Sequence, residues 1–220
     1  MSKPLYVFDM DETLFDADCA VLWNEFLVEQ GIAMQPDFLD QDKRLMALYA
    51  EGKMDMEDYL EFSIAPLTHV PTERVQQWVE QCIDEKILSR LFPQAQTLLA
   101  DLKRDDIQTI IISASVSFLV EAIAKRLEID VAMGIDLELK QNSFTSKIKG
   151  IATYREGKVA KLAQWLSAQD NSYTEIHFYT DSINDRPLCE FADYAYLVNP
   201  CPALKALGEK QGWKQLKWSL

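Results

Sequence analysis

A chain of 220 residues with 48% hydrophobic composition is long enough to bury a core, as one domain or as a domain carrying a large insertion. Its net charge of −13 opposes attraction to nucleic acid and anionic lipid, so neither is an expected partner, while a bound cation is easily accommodated. No apolar stretch reaches the roughly 18 to 20 residues that cross a bilayer, and Met1-Ser2-Lys3-Pro4 leads into a strand without a signal-peptide apolar region, so the expected compartment is the cytoplasm. Cys19, Cys82, Cys189 and Cys201 lie far apart with no paired spacing and no neighbouring histidine, which reads as reduced, packed thiols.

The first predicted strand is the apolar run Leu5-Tyr6-Val7-Phe8, which leads straight into Asp9-Met10-Asp11-Glu12-Thr13. A strand that is apolar throughout belongs in a parallel sheet covered on both faces, so the two aspartates emerge at a strand's carboxyl end, where open α/β sheets bind ligands. A helical block follows. Helices are predicted over Ala20 to Gln30, from Pro36 to Gly52, over Met56 to Ile64 and over Thr72 to Leu88. After Pro93 the pattern alternates, with a helix near 94–104, a strand from Ile107 ending in Ser113, and a helix from Ser117 to Leu127. Ile135 to Ile148 suits a hairpin turning at Gln141-Asn142-Ser143. A helix over Lys158 to Ala168, a strand over Ile176 to Tyr179 and a last strand over Ala195 to Val198 complete the reading. The fold class is α/β: a doubly wound parallel sheet interrupted after its first strand by a helical insertion standing above the carboxyl edge.

Three strand ends carry polar residues: Asp9 and Asp11, then Ser113, then Asp181 and Asp185, while Lys158 begins a helix. Hard oxygen ligands suit Mg²⁺, which takes one or two carboxylates, keeps waters and leaves a position for a phosphate oxygen. A lysine ammonium and a serine hydroxyl can meet the charge of a transferring phosphoryl group. A carboxylate beside the metal can attack phosphorus in line, and a second carboxylate two residues on can protonate the leaving alkoxide. Ser115 rivals Ser113, whose strand-end placement selects it. Asp185 has an alternative role as a helix N-cap, and so does Asp18. His177 reads as a packed histidine. Trp23, Phe26 and Tyr49 read as core of the helical block, unless one faces the cleft and stacks on a substrate ring.

Asp9-Met10-Asp11-Glu12-Thr13, Ser113, Lys158 and Asp181-Ser182-Ile183-Asn184-Asp185 resemble the four ordered motifs of haloacid-dehalogenase-superfamily phosphatases, and the insertion resembles that superfamily's helical C1 cap. The resemblance implies a Rossmann-like core over 1–15 and 90–220 and a cap over 16–89. It implies Asp9 as nucleophile and Asp11 as general acid/base, with Ser113 and Lys158 on the phosphate and Asn184 on the phosphate or on a metal-bound water. Magnesium would be held at Asp9, the main chain of Asp11 and Asp181, with Asp185 supporting Lys158 or the metal's surroundings. Thr180 departs from the glycine found before the first aspartate in many relatives.

Arg155-Glu156-Gly157-Lys158-Val159 and Asn199-Pro200 resemble the phosphoserine-phosphatase-like branch, some bacterial members of which act on histidinol phosphate. Asp18 stands where phosphoserine phosphatases carry a cap glutamate that grips the substrate amine. Ser63 falls where they carry the arginine for the substrate carboxylate. Asp16, Asp18, Glu61 and the missing arginine suit histidinol phosphate, which has an amine and an imidazole but no carboxylate. The alternatives are phosphoserine, a broad range of small phosphorylated metabolites, transfer to an acceptor other than water, or a binding protein that has lost the chemistry. The acidic surface permits a monomer or a homodimer.

Overall fold

A computed structural model describes residues 3–170 and 172–220. Strand β1 (Leu5–Phe8) is followed by four helices, α1 (Cys19–Glu29), α2 (Phe38–Ala50), α3 (Met56–Ile64) and α4 (Thr72–Cys82). The chain then alternates through α5 (Pro93–Arg104), β2 (Gln108–Val116), α6 (Ser117–Arg126) and β3 (Val131–Ile135), and turns a hairpin of β4 (Leu137–Lys140) and β5 (Ser143–Ile148). It ends with α7 (Glu156–Ser167), β6 (Ile176–Thr180), α8 (Arg186–Phe191), β7 (Tyr194–Val198), α9 (Pro202–Gln211) and β8 (Lys214–Leu216). Among the described residues no helix is long and apolar enough to cross a membrane.

The main sheet is parallel, in the order β3-β2-β1-β6-β7-β8. The chain winds outward from β1 through β2 to β3, then returns to the other side of β1 for β6, which makes the gap between β1 and β6 the topological switch point. Phe8 lies beside both Ile111 and Tyr179, so the residues that follow on all three strands emerge at one edge. One face of the sheet packs Leu5, Val7, Ile110, Ile112, Phe178 and Leu197 with Leu162, Leu188 and Leu204 of α7 to α9. The other face, with Phe8, Ile111 and Tyr179, joins one continuous apolar cluster with Trp23, Phe26, Phe38, Leu60 and Val79 of the helical block.

The excursion into α1–α4 begins and ends at one place. Phe15 and Leu91 form an antiparallel bridge, Asp16 N donates to Arg90 O at 2.8 Å and Phe92 N to Leu14 O at 3.0 Å. Asp18 starts α1 by accepting from Val21 N at 3.0 Å, and Asp55 starts α3 by accepting from Glu57 N at 2.9 Å, which satisfies amides that have no partner inside the helix.

The structure differs from the sequence expectation in four places. The helix begun at Thr72 becomes a π-helical turn over Ile83–Ile87 and a 3₁₀ turn over Leu88–Arg90. Strand β2 continues past Ser113 to Val116, so Ser113 and Ser115 both lie within it. Strand β3, whose Val-Ala-Met-Gly-Ile run has two small residues, pairs with β2 in a stretch just before the expected hairpin where no strand was expected. Helix α9 and the short strand β8 were also unforeseen, while α8 follows directly on Asp185, where a helix N-cap was an alternative reading.

Candidate active site

The three central strands bring the expected residues to one edge. Asp9 directly follows β1, with its amide donating to Tyr179 O at 2.9 Å, and its carboxylate is 2.8 Å from Lys158 Nζ through Oδ1. The same ammonium donates to Asp185 Oδ2 at 2.8 Å. Lys158, Asp9, Asp181 and Asp185 are all buried, and the lysine pairs with Asp9 and Asp185 but not with Asp181, so three buried carboxylates stand against one buried cation that two of them hold. Thr13 Oγ1 lies 3.2 Å from Asp9 Oδ2 and 3.3 Å from Asp181 Oδ1, which places those two carboxylates around one point.

The electrostatics follow from that crowding. Burial lifts the Asp9 carboxyl above the usual carboxylate range; Lys158 pulls it back, and the charges of Asp185 and Asp11 push it up again. Asp181 is held well above the ordinary value by burial and then by Asp9 and Glu12. Burial works against the Lys158 ammonium, but Asp185 and Asp9 outweigh it and keep the lysine protonated beyond its normal range. A divalent cation beside Asp9 and Asp181 would offset the unbalanced charge. Their all-oxygen donor set is the kind Mg²⁺ accepts, and two carboxylates are the number it commonly uses. Among the described residues no three acidic, histidine or cysteine side chains form a protein-only metal cage.

The side chains of Asp11 and Asp185 are engaged elsewhere. Asp11 Oδ1 accepts from Cys19 N at 2.7 Å, and its Oδ2 accepts from Ser113 Oγ at 3.0 Å and Ser115 Oγ at 3.1 Å. Both serines therefore orient the Asp11 carboxylate, and because β2 runs through both, strand-end placement does not choose between them. Asp185 precedes α8 but makes no side-chain cap bond; its Oδ2 accepts from Thr180 Oγ1 at 2.7 Å as well as from Lys158.

Above this edge lies a cavity of about 310 Å³, between the strand ends and the helical block. Asp9, Asp11, Asp181 and Ser115 form its floor, while Met46, Tyr49, Met54, Met56 and Tyr59 form an apolar roof. Glu12 and Asp18 add acid to its wall, and among the described residues no arginine, lysine or histidine lines it. Asp18 both caps α1 and faces the cavity, with burial and the Asp11 charge holding its carboxyl well above the usual range. Ser113, Lys158 and Asp185 lie behind the floor. Asn184, expected on a phosphate, donates through Nδ2 to Tyr49 O at 2.9 Å instead. Ser63 is buried in α3 and Glu61 is exposed on the same helix; neither lines the cavity, nor does Asp16. Of the three aromatic residues considered for the cleft, Tyr49 reaches it, whereas Trp23 and Phe26 are core.

Sequence reasoning gave no role to Thr13 or Thr180, although Thr13 sits inside the first motif and Thr180 immediately before the last. Their hydroxyls orient the buried acids. A larger groove of about 770 Å³ lies at the opposite ends of β1 and β2, where Lys3 pairs with Asp106 at 2.7 Å and Asp130 accepts from Thr109. Both of its lysines are paired with acids, Lys3 with Asp106 and Lys103 with Glu128.

The pattern of the haloacid dehalogenase-like hydrolases matches residues 6–190. The chain is 27% identical to a histidinol-phosphatase of Neisseria meningitidis serogroup C (strain 8013), over 98% of this chain and 99% of that protein. It is 25% identical to a phosphoserine phosphatase of Archaeoglobus fulgidus, over 94% of this chain and 56% of that one. Among solved structures, a protein of unknown function from Bordetella pertussis Tohama I superposes with a TM-score of 0.89 at 28% identity, covering 98% of this chain and 99% of that one. A phosphoserine phosphatase superposes with a TM-score of 0.69 at 19% identity, covering 94% and 91%, a likeness of fold.

Proposed function

Because the chain belongs to the haloacid dehalogenase-like hydrolases, and because its buried acids converge beneath a cavity with an acidic wall and an apolar roof, we propose that it is a Mg²⁺-dependent phosphatase whose preferred substrate is histidinol phosphate. The phosphomonoester hydrolase activity rests on family membership and on the phosphatase relatives. The choice of substrate rests on the cavity wall. Phosphoserine would bring a carboxylate to a wall that carries Glu12 and Asp18 and no cation. Histidinol phosphate would bring an amine to those acids and an imidazole ring to Tyr49, Tyr59 and the methionines.

In this reading an Asp9 carboxylate oxygen attacks phosphorus, the ester P–O bond breaks, and the Asp11 carboxyl gives its proton to the departing alkoxide. The product is an alcohol and an aspartyl-phosphate on Asp9. Asp11, now ionised and held by Ser113 and Ser115, takes a proton from water as that water attacks phosphorus, and the P–O bond to Asp9 breaks to release phosphate. Lys158, paired with Asp9, meets the charge growing on the phosphoryl oxygens. Magnesium would be held by Asp9 and Asp181, with Asp185 fixing Lys158, and would supply charge neutralisation at the phosphoryl oxygens.

The test is steady-state turnover of histidinol phosphate, phosphoserine and p-nitrophenyl phosphate by the purified protein, with and without Mg²⁺, alongside Asp9→Asn. Histidinol phosphate is expected to show the highest kcat/KM. Equal or better turnover of phosphoserine rejects the substrate assignment, and wild-type activity no greater than that of Asp9→Asn rejects the mechanism.

A further inference from the structure

Arg155 occupies a backbone conformation with φ 52° and ψ −122°, just before α7. L-residues rarely adopt this region, and such positions persist where the surroundings over-determine them. Glycine would sit there without strain, so the arginine side chain requires a reason. Its guanidinium reaches across from the core to the helical block and donates to Gly52 O, while Nε donates to Asn184 Oδ1 at 3.4 Å and the group lies 5.0 Å over the Tyr154 ring. Asn184 in turn donates to Tyr49 O at 2.9 Å, and the Tyr49 and Tyr154 rings are 5.6 Å apart.

The two carbonyls so bound lie in the turn that ends α2. Gly52 has φ +67°, and a Cβ built on it would overlap the Arg155 guanidinium, so both the turn and the close approach call for glycine. The other end of the helical block is anchored separately. Thr72 N donates to Asn142 O at 3.0 Å in the β4–β5 turn, and Arg126 of α6 pairs with Glu80 at 2.7 Å and Asp84 at 2.5 Å. Met46, Tyr49 and Ala50, at the end of α2, roof the cavity over Asp9 and Asp181.

We infer that Arg155 is a latch: a positioning residue that, with Asn184, holds the last turn of α2 closed over the nucleophile and releases it for substrate to enter and product to leave. The inference rests on the proposed phosphatase reading only for what the closed roof covers. The latch and the phosphate-side lysine share one turn of chain, since Lys158 is three residues further on and its amide donates to Arg155 O at 3.0 Å.

Arg155→Gly separates the latch from a structural role, because it removes the guanidinium while relieving the backbone. Hydrogen exchange on the full chain, without substrate, reads the roof directly. Exchange at Gly52 and Lys53, whose amides donate to Tyr49 O and Leu48 O, is expected to rise about tenfold, with α7 and β1 unchanged and Tm not lowered. Arg155→Lys, which keeps the charge but loses the fork that spans two acceptors, is expected to fall between wild type and Arg155→Gly. Where the wild-type protein turns over a phosphomonoester, the Arg155→Gly variant should also show a KM raised severalfold. Unchanged exchange at 48–55 overturns the latch. So does raised exchange spread through 156–162 with a fallen Tm, which would make Arg155 a support for α7. If the wild-type protein hydrolyses no phosphomonoester, the functional reading fails while the exchange experiment still decides the latch.

Discussion

Thr180 Oγ1 donates to Asp185 Oδ2 at 2.7 Å, at the position where this chain departs from the glycine of the family motif. The same oxygen accepts from Lys158 Nζ, and Thr180 Oγ1 accepts from Ser182 N at 3.2 Å. The extra side chain therefore fixes the carboxylate that fixes the lysine, and it ties down the start of the 182–185 turn. All three of Thr180, Asp185 and Lys158 are buried, so no water replaces a lost donor.

Thr180→Val keeps the shape and removes the hydroxyl, leaving a buried carboxylate oxygen and the Ser182 amide short of a partner. The expected cost is about 1–3 kcal/mol. Thr180→Ser should recover most of it. Urea midpoints of the three proteins check this, and a Thr180→Val midpoint equal to wild type would show that the bond contributes nothing.

Lys158→Met should destabilise the metal-free protein by about 3–5 kcal/mol, because removing one partner of a buried ion pair leaves its acids uncompensated. Here two acids, Asp9 and Asp185, lose the same cation. Activity should fall by about 100-fold or more, through loss of charge at the phosphoryl group. Lys158→Arg should not restore it, since a planar fork does not fit the place of a compact ammonium enclosed by two carboxylates. Denaturant midpoints and single-turnover rates measure the two effects separately.

The strand-end chemistry was legible in the sequence because it depends on side-chain type at the end of an apolar run, which is a local pattern. Asp9, Lys158 and Asp181 meet because β1 and β6 are neighbours and α7 leads into β6. Other features left no such pattern. Strand β8 is three largely exposed residues, Lys-Gln-Leu, too short for a period to show. The β2 strand could not be told from one ending at Ser113, since Ala114, Ser115 and Val116 are small or branched residues that suit strand and turn alike. The contacts of Arg155 and Asn184 with α2 use the backbone carbonyls of Gly52 and Tyr49, and carbonyls are common to every residue. Thr180 read only as a departure from the family glycine because its partner, five residues on, is set by the turn and not by spacing alone.

Asp42 provides a pH test away from the metal-side acids. It is buried in α2 and accepts from Asn24 Nδ2 at 2.8 Å. Burial pushes its carboxyl up to about 6, with the Asn24 bond opposing and the Glu25 charge adding. A folded value above the unfolded one means that the folded state holds the proton more tightly. Its contribution is therefore present in full below about pH 4, and it is lost as pH rises through 6. Asp42→Asn retains an oxygen for Asn24 and has no proton to lose. It should raise Tm by a few degrees at pH 7.5 and change it little at pH 4.5, which thermal melts across that range will show. A pH-independent difference would place the effect in packing.

Asp181→Asn should have opposite effects with and without magnesium. Burial and the Asp9 charge hold the Asp181 carboxyl well above its usual range, so in metal-free protein at neutral pH its ionisation opposes folding. Replacing it by an amide removes that repulsion, and Tm in EDTA should rise. Added Mg²⁺ should stabilise wild type by about 2.7 kcal/mol when present at 100 times its dissociation constant. The mutant has one carboxylate fewer beside Thr13 and should gain little from the same addition. Calorimetric melts of both proteins in EDTA and in Mg²⁺ give all four values. An equal magnesium-induced rise in the mutant would mean that the cation is not held at Asp181, whereas a wild-type Tm insensitive to Mg²⁺ would mean that no cation binds beside Asp9 and Asp181.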